Sequence, residues 1–303
     1  MRIGLISMVF NEEYILPFFF RHYDQFVDKY YILYDKDSTD LTLEIVREQA
    51  KTKEVEITPF EFPDGMDDDI KVDKINNLYE TITDCDWICC VDADEFIFPL
   101  PLETDVKAIL QREQDKGFNL VKTYMWQVYR NVADEDLDPN KMPIVTQRRY
   151  GDPSFDGAPP IRLRFALRYM KRLIANVLVK VRSYLDRNKM PIVIQRRYGD
   201  PSLDAWNAFY VKPIIVRAGM KIGWTPGNHK IAYGSYKESD YKMAGSHWAN
   251  ADPCFCVDRR VKNRRDRQSK RHMAAGITSQ HHGITEQDVL DLCSRHINDP
   301  KLF

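Results

Sequence analysis

The sequence lacks any apolar run long enough to cross a membrane. No stretch of about 18 apolar residues occurs in it, so we expect no transmembrane helix. Residues 1–7 also lack the long apolar core of a signal peptide. The sequence therefore predicts a cytoplasmic protein. A location at the inner face of the membrane stays open because of a basic segment described below.

Cysteine is sparse, and its spacing excludes a zinc site. Only six cysteines occur in 303 residues. Cys254 and Cys256 are separated by a single residue and have no matching pair at zinc-ligand spacing. Cys85, Cys89 and Cys90 lie in or beside an apolar run, where a free cysteine behaves as a small hydrophobic side chain. We expect reduced cysteines.

A strong net charge is also missing. The formal charge is −1 at pH 7, so the molecule as a whole is not a binder of polyanions. Residues 161–185 and 259–271 are basic, yet no known nucleic-acid-binding module accompanies them, and we expect no nucleic-acid partner. The arginines of 259–271 are predicted to bind phosphates or an anionic acceptor, or else to form a solvated helix face.

What the sequence does contain is a regular alternation of strand and helix patterns. Strands are predicted at residues 2–9, 29–34, 54–59 and 87–92, and helices at 14–26, 41–51 and 69–84. Short connections between alternating strands and helices predict an α/β fold with a parallel, doubly wound sheet. Later elements are predicted at 103–116 (helix), 118–130 (strand), 208–217 (strand), 257–275 (basic helix) and 285–296 (helix). Pro213 indicates an edge position or a bulge in the strand that contains it.

The middle of the chain contains an internal repeat. Residues 140–154 (NKMPIVTQRRYGDPS) recur as residues 188–202 (NKMPIVIQRRYGDPS). Two copies are too few for a solenoid, so a tandem duplication or an assembly artefact of the sequence is indicated, with the second copy favoured as native. Between them, residues 161–185 form an amphipathic pattern whose polar face is basic and lacks acids. This pattern is typical of a helix at an anionic membrane surface or of an ordinary surface helix.

An acidic cluster follows the most apolar of the predicted strands. Residues 87–91 are apolar, and Asp92, Asp94 and Glu95 come directly after them. Open α/β sheets bind ligands at the carboxyl ends of their strands. Asp92 and Asp94 point the same way on an extended chain, about 7 Å apart. Hard divalent cations take such oxygen ligands together with substrate phosphates, so the cluster predicts a metal–diphosphate site; the alternative is a polar loop.

Three segments in this order resemble the GT-A type glycosyltransferases, and within them the family 2-like bacterial enzymes. Residues 7–13 (SMVFNEE) resemble the nucleotide-binding opening of that family, residues 35–42 (DKDSTDLT) its DxxSxDxT segment, and residues 91–96 (VDADEF) its DxD motif. The resemblance covers residues 1–130 and resumes at 207–231 and from residue 246. It implies a doubly wound, mostly parallel but mixed sheet flanked by helices, with an inserted basic amphipathic helix.

The resemblance also implies a division of the chain into three parts. Residues 1–130 would be the nucleotide-sugar-binding half of a GT-A domain. Residues 131–206 would be a duplicated or inserted segment that contains the amphipathic helix. Residues 207–303 would supply the acceptor-side strands and the C-terminal helices of the same domain.

A nucleotide-sugar donor, UDP- or GDP-linked, and a divalent metal, Mn²⁺ or Mg²⁺, follow from the same resemblance. The implied nucleotide contacts are Asn11, Glu13, Asp35, Asp37 and Asp92. The implied metal ligands are Asp94 directly, Asp92 in support, and a late histidine, His229 or His247. A neutral histidine suits Mn²⁺ better than Mg²⁺. An ion that bridges two phosphates would act as a Lewis acid on the leaving diphosphate.

An inverting transfer needs a general base for the acceptor hydroxyl. Asp200 and Glu95 are the preferred candidates, and Asp134, Glu135, Asp136, Asp152 and Asp204 stay open. Asp200 stands in a Tyr-Gly-Asp-Pro sequence that is also an ordinary turn.

The function expected from these features is metal-dependent, inverting transfer of a sugar to a glycan or lipid-linked acceptor, as in polysaccharide biosynthesis. Peripheral membrane contact would run through residues 161–185. A nucleotidyltransferase is a second hypothesis, but residues 10–13 are acidic where such enzymes carry a glycine-rich basic loop. A catalytically inactive, membrane-associated binding protein is the third.

Overall fold

The computed structural model describes residues 1–151, 211–275, 284–299 and 301–302. They belong to one compact unit formed by Met1–Gly151 with Tyr210–Phe303. The predictions for the amphipathic segment 161–185, for the second repeat copy and for Asp152, Asp200 and Asp204 lie outside these residues. The three-part division of the chain also stays a prediction.

The first hundred residues alternate strands with helices. The elements are β1 (Ile3–Val9), α1 (Leu16–Tyr23), β2 (Lys29–Asp35), α2 (Thr42–Gln49), β3 (Glu54–Phe60), α3 (Asp68–Thr81), β4 (Trp87–Cys90) and β5 (Glu95–Phe98). After β5 come α4 (Val106–Asp115), β6 (Leu120–Tyr129) and a 3₁₀ turn at Ile144–Gln147.

Strands dominate the later described residues before the chain ends in helices. The strands are β7 (Val211–Arg217), β8 (Gly223–Trp224), β9 (Ile231–Tyr233) and β10 (Glu238–Asn250), with a 3₁₀ turn at Pro226–Asn228. The helices are α5 (Pro253–Val257), a π-helix (Asp258–Arg265), α6 (Lys270–Ala275) and α7 (Glu286–Arg295). The capping box at Thr285 and Asp288 explains why α7 begins where it does.

An eight-stranded mixed sheet holds the unit together, in the order β3-β2-β1-β4-β7-β6-β10-β5. β3, β2, β1 and β4 are parallel, and β7 runs antiparallel to both of its neighbours. The residues of β4 are all buried because apolar clusters cover both faces of the sheet. α1 packs in one cluster and α3 in the other. The predicted α/β, mixed and doubly wound class is confirmed.

Two local predictions differ from the structure. β7 lies in the interior of the sheet, so the edge position suggested by Pro213 is wrong. The alternative of a bulge holds, because the β6–β7 register shifts between Val121 and Thr123, opposite Pro213. The single basic helix expected at 257–275 is broken, since Arg267 O and Ser269 N form backbone hydrogen bonds with Met66 and leave the helical path.

None of the helices within the described ranges is long and apolar enough to span a bilayer.

His22 on α1 gives the fold a testable pH dependence. Its ring is buried, and Nε2 donates to the carbonyl of Ile97 at 2.8 Å. Burial lowers the pKa of His22 to about 4. Between about pH 6.5 and pH 4 the unfolded chain binds this proton and the folded chain does not, so acidification through this range should lower the free energy of unfolding by about 3 kcal/mol.

The comparison is urea unfolding of the wild type and His22→Gln at pH 7 and pH 4.5. Glutamine can still donate to the Ile97 carbonyl but does not titrate, and all other groups titrate in both proteins. The variant should gain stability relative to the wild type as the pH falls. A difference between the two proteins that is the same at both pH values would contradict this account.

Candidate active site

The candidate site lies at the carboxyl edge of the parallel strands. β1, β2 and β4 end at this edge because they run in the same direction. Glu12 follows β1, Asp35 ends β2, and Asp92 and Asp94 follow β4. The two sequence motifs at the ends of β2 and β4 are therefore brought to one edge, as the parallel pattern requires.

Asp92 is held by a cation and by the turn that leads into β5. Its Oδ1 accepts from Lys71 Nζ on α3 at 2.6 Å. Its backbone N–H donates to Glu95 Oε2 at 3.1 Å. Burial would raise the pKa of Asp92, but Lys71 and Lys212 outweigh it, and the pKa lies well below its usual range. Asp92 is therefore a charged carboxylate paired with a lysine.

Glu95 is fully buried and ion-paired with Lys212 on β7. To act as the base for an acceptor hydroxyl, Glu95 would have to break its ion pair with Lys212. The role of Glu95 in proton transfer stays a prediction, as does that of Asp200. Asp134, which was also open as a base, accepts from the Asn131 N–H at 2.8 Å, and the neighbouring Glu135 and Asp136 pair with Lys141 and Arg130 at the surface.

Asp94, which follows β4, contacts two residues from the C-terminal part of the chain. Its side chain is buried, with Oδ2 3.0 Å from His247 Nε2 and Oδ1 2.9 Å from Arg259 Nη2. Gln127 Nε2 contacts His247 Nδ1 from the neighbouring strand β6. With that amide donating, the ring proton lies on Nε2 and points at Asp94. The structure thus brings together two of the predicted metal ligands, Asp94 and His247.

The electrostatics of Asp94 follow from its neighbours. Burial disfavours the charged carboxylate, but Arg259 and His247 outweigh it, so the pKa of Asp94 lies well below its usual range. Arg259 also pairs with Glu12, the residue after Asn11. In Glu12 burial wins over Arg259 and raises the pKa to about 7. Neither Glu12 nor the specific contact of Arg259 was predicted from the sequence.

The end of β2 forms a second pairing with the C-terminal basic segment. Asp35 is fully buried, and its Oδ2 accepts from Arg267 Nη2 at 2.6 Å. The same guanidinium lies 3.3 Å over the ring of Phe10 and 3.6 Å from the Asp37 carboxylate. A planar cation stacked on an aromatic ring beside two carboxylates is a surface to which a base or a phosphate can bind.

Asn11 and Glu13 tie the loop after β1 to the loop after β2. Asn11 has a left-handed backbone (φ +48°), which asparagine tolerates, and its Oδ1 accepts from the Thr39 N–H at 2.8 Å. Glu13 Oε2 accepts from the Leu41 N–H at 3.0 Å. These bonds position the loops. The predicted nucleotide contacts of Asn11, Glu13, Asp35, Asp37 and Asp92 stay predictions.

His229 follows the 3₁₀ turn at Pro226–Asn228. Asn228 Nδ2 of this turn donates to Cys90 Sγ at 3.4 Å, so the turn lies at the end of β4. The role of His229 as a metal ligand stays a prediction.

A second group of potential ligands surrounds the start of α3. Ligand atoms of Asp67, Asp69 and His272 lie within 4.8 Å of one another, so the group could hold a metal ion. Asp67 caps α3 and binds Arg271 through both carboxylate oxygens, at 2.8 and 2.6 Å. Burial opposes the charge, but the bond to Arg271 prevails and lowers the pKa of Asp67 to about 2. Arg271 fills this group with a cation.

Arginines of the basic segment 259–271 pair with acids from the first 94 residues. The contacts are Arg259 with Glu12 and Asp94, Arg264 with Asp68, Arg267 with Asp35, and Arg271 with Asp67 and Asp69. The sequence left two interpretations of this segment open: binding of phosphates or an anionic acceptor, or a solvated helix face. A solvated face does not describe Arg259 and Arg267, whose side chains are 22% and 16% exposed. The only signal for this pairing in the sequence is that the acids of the first 94 residues and the basic segment 259–271 carry opposite charge.

Residues 6–149, a little under half of the chain, match the model of glycosyltransferase family 92. No curated protein matches the chain significantly.

Among solved structures, mannose-6-phosphate isomerase from Helicobacter pylori is 16% identical, with a TM-score of 0.30, over 46% of this chain and 53% of that one. Glucosyl-3-phosphoglycerate synthase from Mycobacterium tuberculosis, in complex with Mn²⁺, UDP and glucosyl-3-phosphoglycerate, is 20% identical, with a TM-score of 0.28, over 41% and 44%. The chain thus spans about half the length of these proteins. The first half of the chain, with the ends of β1, β2 and β4, is similar to glycosyltransferase family 92.

Proposed function

We propose that the chain is a glycosyltransferase that moves a sugar from a nucleotide-sugar donor to a glycan or lipid-linked acceptor, with a divalent metal at Asp94. One observation carries the proposal. The buried carboxylate of Asp94 and the imidazole of His247 meet at the edge of the sheet, inside the unit whose first half matches a glycosyltransferase family. The family 2-like assignment stays a prediction, because the model that matches is that of family 92.

The donor set fits Mn²⁺ or Mg²⁺. A carboxylate oxygen and an imidazole nitrogen converge on one point, and the imidazole favours Mn²⁺. When bound, the ion would supply Lewis-acid stabilisation of the leaving diphosphate. Asp94 and His247 would hold it once the imidazole proton moves from Nε2 to Nδ1, where the Gln127 amide, turned so that its Oε1 accepts, would keep the ring in place. Arg267 and Asp35 would orient the nucleoside against Phe10.

The nature of the acceptor and the stereochemistry rest on the sequence alone. Inversion, a lipid-linked acceptor and peripheral contact with a membrane through residues 161–185 are parts of the proposal supported by the GT-A resemblance and by the basic pattern of that segment. A cytoplasmic location belongs to the same proposal.

Calorimetry with UDP and GDP, each with and without Mn²⁺, tests the donor side. We expect one nucleoside diphosphate to bind at least about tenfold more tightly with Mn²⁺, because Asp94 and His247 would hold an ion that neutralises part of the diphosphate charge. The matching nucleoside monophosphate is the control and should gain less from the metal. If neither diphosphate binds in either condition, the glycosyltransferase proposal is wrong.

Product analysis separates the two enzyme hypotheses. The full chain with Mn²⁺ is incubated either with a panel of UDP- and GDP-sugars or with nucleoside triphosphates plus sugar 1-phosphates. A glycosyltransferase should slowly hydrolyse one nucleotide sugar to the diphosphate. Release of pyrophosphate from the second mixture would instead favour a nucleotidyltransferase, although the buried, acidic Glu12 stands where such enzymes need a basic loop.

A further inference from the structure

Arg259 lies between two carboxylates as a bridging cation. One terminal nitrogen pairs with Glu12 Oε1, and the other lies 2.9 Å from Asp94 Oδ1. Burial disfavours the charged guanidinium, but Asp94 and Glu12 raise the pKa of Arg259 above its usual value. Because the two nitrogens belong to one planar group, they bring carboxylates from β1 and β4 to a common centre. His247 approaches the other oxygen of Asp94.

Glu12 has a buried carboxylate oxygen for which the described contacts offer no partner. Its side chain is buried, with 5% of its surface exposed. Its second oxygen, Oε2, has no hydrogen-bond partner among the residues that the structure describes. A buried carboxylate oxygen without a partner is costly. The composition of the cluster points the same way: in its described part, the four carboxyl groups of Glu12, Asp92, Asp94 and Glu95 face three lysine and arginine side chains, Lys71, Lys212 and Arg259, beside His247.

We propose that Glu12 is a further ligand of the divalent cation beside Asp94 and His247, and that Arg259 occupies the place of the cation until it binds. The proposal rests on the proposed function for the presence of a metal. It adds an oxygen ligand that the DxD resemblance does not include, and it assigns a role to an arginine that the sequence left open.

The exchange follows from the charges of the centre. The guanidinium of Arg259 brings one positive charge to this centre, whereas a divalent ion would bring two. The oxygens of Glu12 and Asp94 are suitable ligands for such an ion. The displaced Arg259 stays attached to the π-helix at the same edge, where it can pair with the donor diphosphate. π-Helical turns are frequent at functional sites. Arg259 would thus be a positioning residue that changes partner when the metal enters.

Titration calorimetry with Mn²⁺ alone, without nucleotide, tests the proposal. We expect Arg259→Gln to bind Mn²⁺ at least about tenfold more tightly than the wild type, because the competing cation is gone. Arg259→Lys keeps one charge but cannot bridge both carboxylates, so its affinity should lie between the two. Lys262→Gln, on the same π-helix and 62% exposed, is the matched control and should equal the wild type.

The role of Glu12 is tested in the background that lacks the arginine. Glu12→Gln combined with Arg259→Gln should lose at least about tenfold in Mn²⁺ affinity relative to Arg259→Gln alone, because one oxygen ligand is neutralised. Thermal unfolding of each variant shows whether it is folded, and Arg259→Lys provides the comparison if Arg259→Gln is not.

Two results would overturn the proposal: equal or weaker Mn²⁺ binding after replacement of Arg259, or no effect of Glu12→Gln in the double variant. The titration is independent of the transferase assays. Tighter Mn²⁺ binding by Arg259→Gln in a chain that hydrolyses no nucleotide sugar would uphold the cation site and refute the glycosyltransferase. Hydrolysis of a nucleotide sugar together with unchanged Mn²⁺ affinity in the variants would uphold the glycosyltransferase and refute the proposed roles of Glu12 and Arg259.

Discussion

Replacement of Asp94 by Asn should lower the rate of nucleotide-sugar hydrolysis by about a hundred- to a thousandfold. The buried carboxylate is the group on which His247 and Arg259 converge, and in the proposed function its charge would hold the metal beside the donor diphosphate. Loss of several kcal/mol of Lewis-acid stabilisation corresponds to a rate change of this order. The effect should fall on kcat/KM at saturating Mn²⁺, measured with the nucleotide sugar that the wild type hydrolyses.

The control for this variant is Asp115→Asn. Asp115 is an exposed carboxylate on α4 that pairs only locally with Gln111 among the contacts described for it, so the rate should stay within about twofold of the wild type. Circular dichroism and thermal unfolding must show that Asp94→Asn is folded, because the change also removes a partner of Arg259. A folded Asp94→Asn that retains more than a tenth of the wild-type rate would contradict the assigned role.

Replacement of Lys212 by Met should cost about 3–5 kcal/mol of unfolding free energy. Lys212, on β7, is the cation paired with the fully buried Glu95, which lies at the start of β5. Removal of one partner of a buried pair leaves the other charge without compensation. Urea denaturation at pH 7 measures the loss.

The second arm of this experiment combines Lys212→Met with Glu95→Gln. Removal of both charges should recover at least half of the lost stability, since the amide can still accept from the Asp92 N–H. Lys141→Met, which breaks an exposed pair with Glu135, should cost less than about 1 kcal/mol. Equal losses in the single and double variants would show that packing of the lysine stem, not the charge, explains its effect.

The parallel half of the sheet could be predicted from the sequence because its signals are local. β1, β2 and β4 are apolar runs that end in polar residues, and their predicted bounds match the structure to within one or two residues. β10 was missed, because it carries the buried Ser246 and Asn250 and the half-buried His247 and shows no alternation. His247 in that strand contacts Asp94 of the candidate site, so a residue of that site interrupts the strand pattern.

The candidate site also contains residues that the sequence predicted and residues that it did not. The acids after β4 were found because strand ends in α/β sheets collect ligands. The choice between Glu12 and Glu13 was missed, since two adjacent glutamates look alike in sequence. The loop around the left-handed Asn11 turns Glu12 inwards and leaves Glu13 exposed. The partner of Glu12 could not be found either, because Arg259 is 247 residues away and only the folded sheet brings them together.

The pairing of the basic segment 259–271 with acids near the N-terminus has a consequence for synthesis of the protein. Asp94 leaves the ribosome 165 residues before Arg259. At about 5–20 residues per second, the carboxylates of the first strands would wait on the order of ten seconds or more for their arginines. During that interval the nascent edge carries uncompensated negative charge, and the long separation in sequence makes its closure slow. Divalent cations in the cell could then reach the nascent site before its own arginine does.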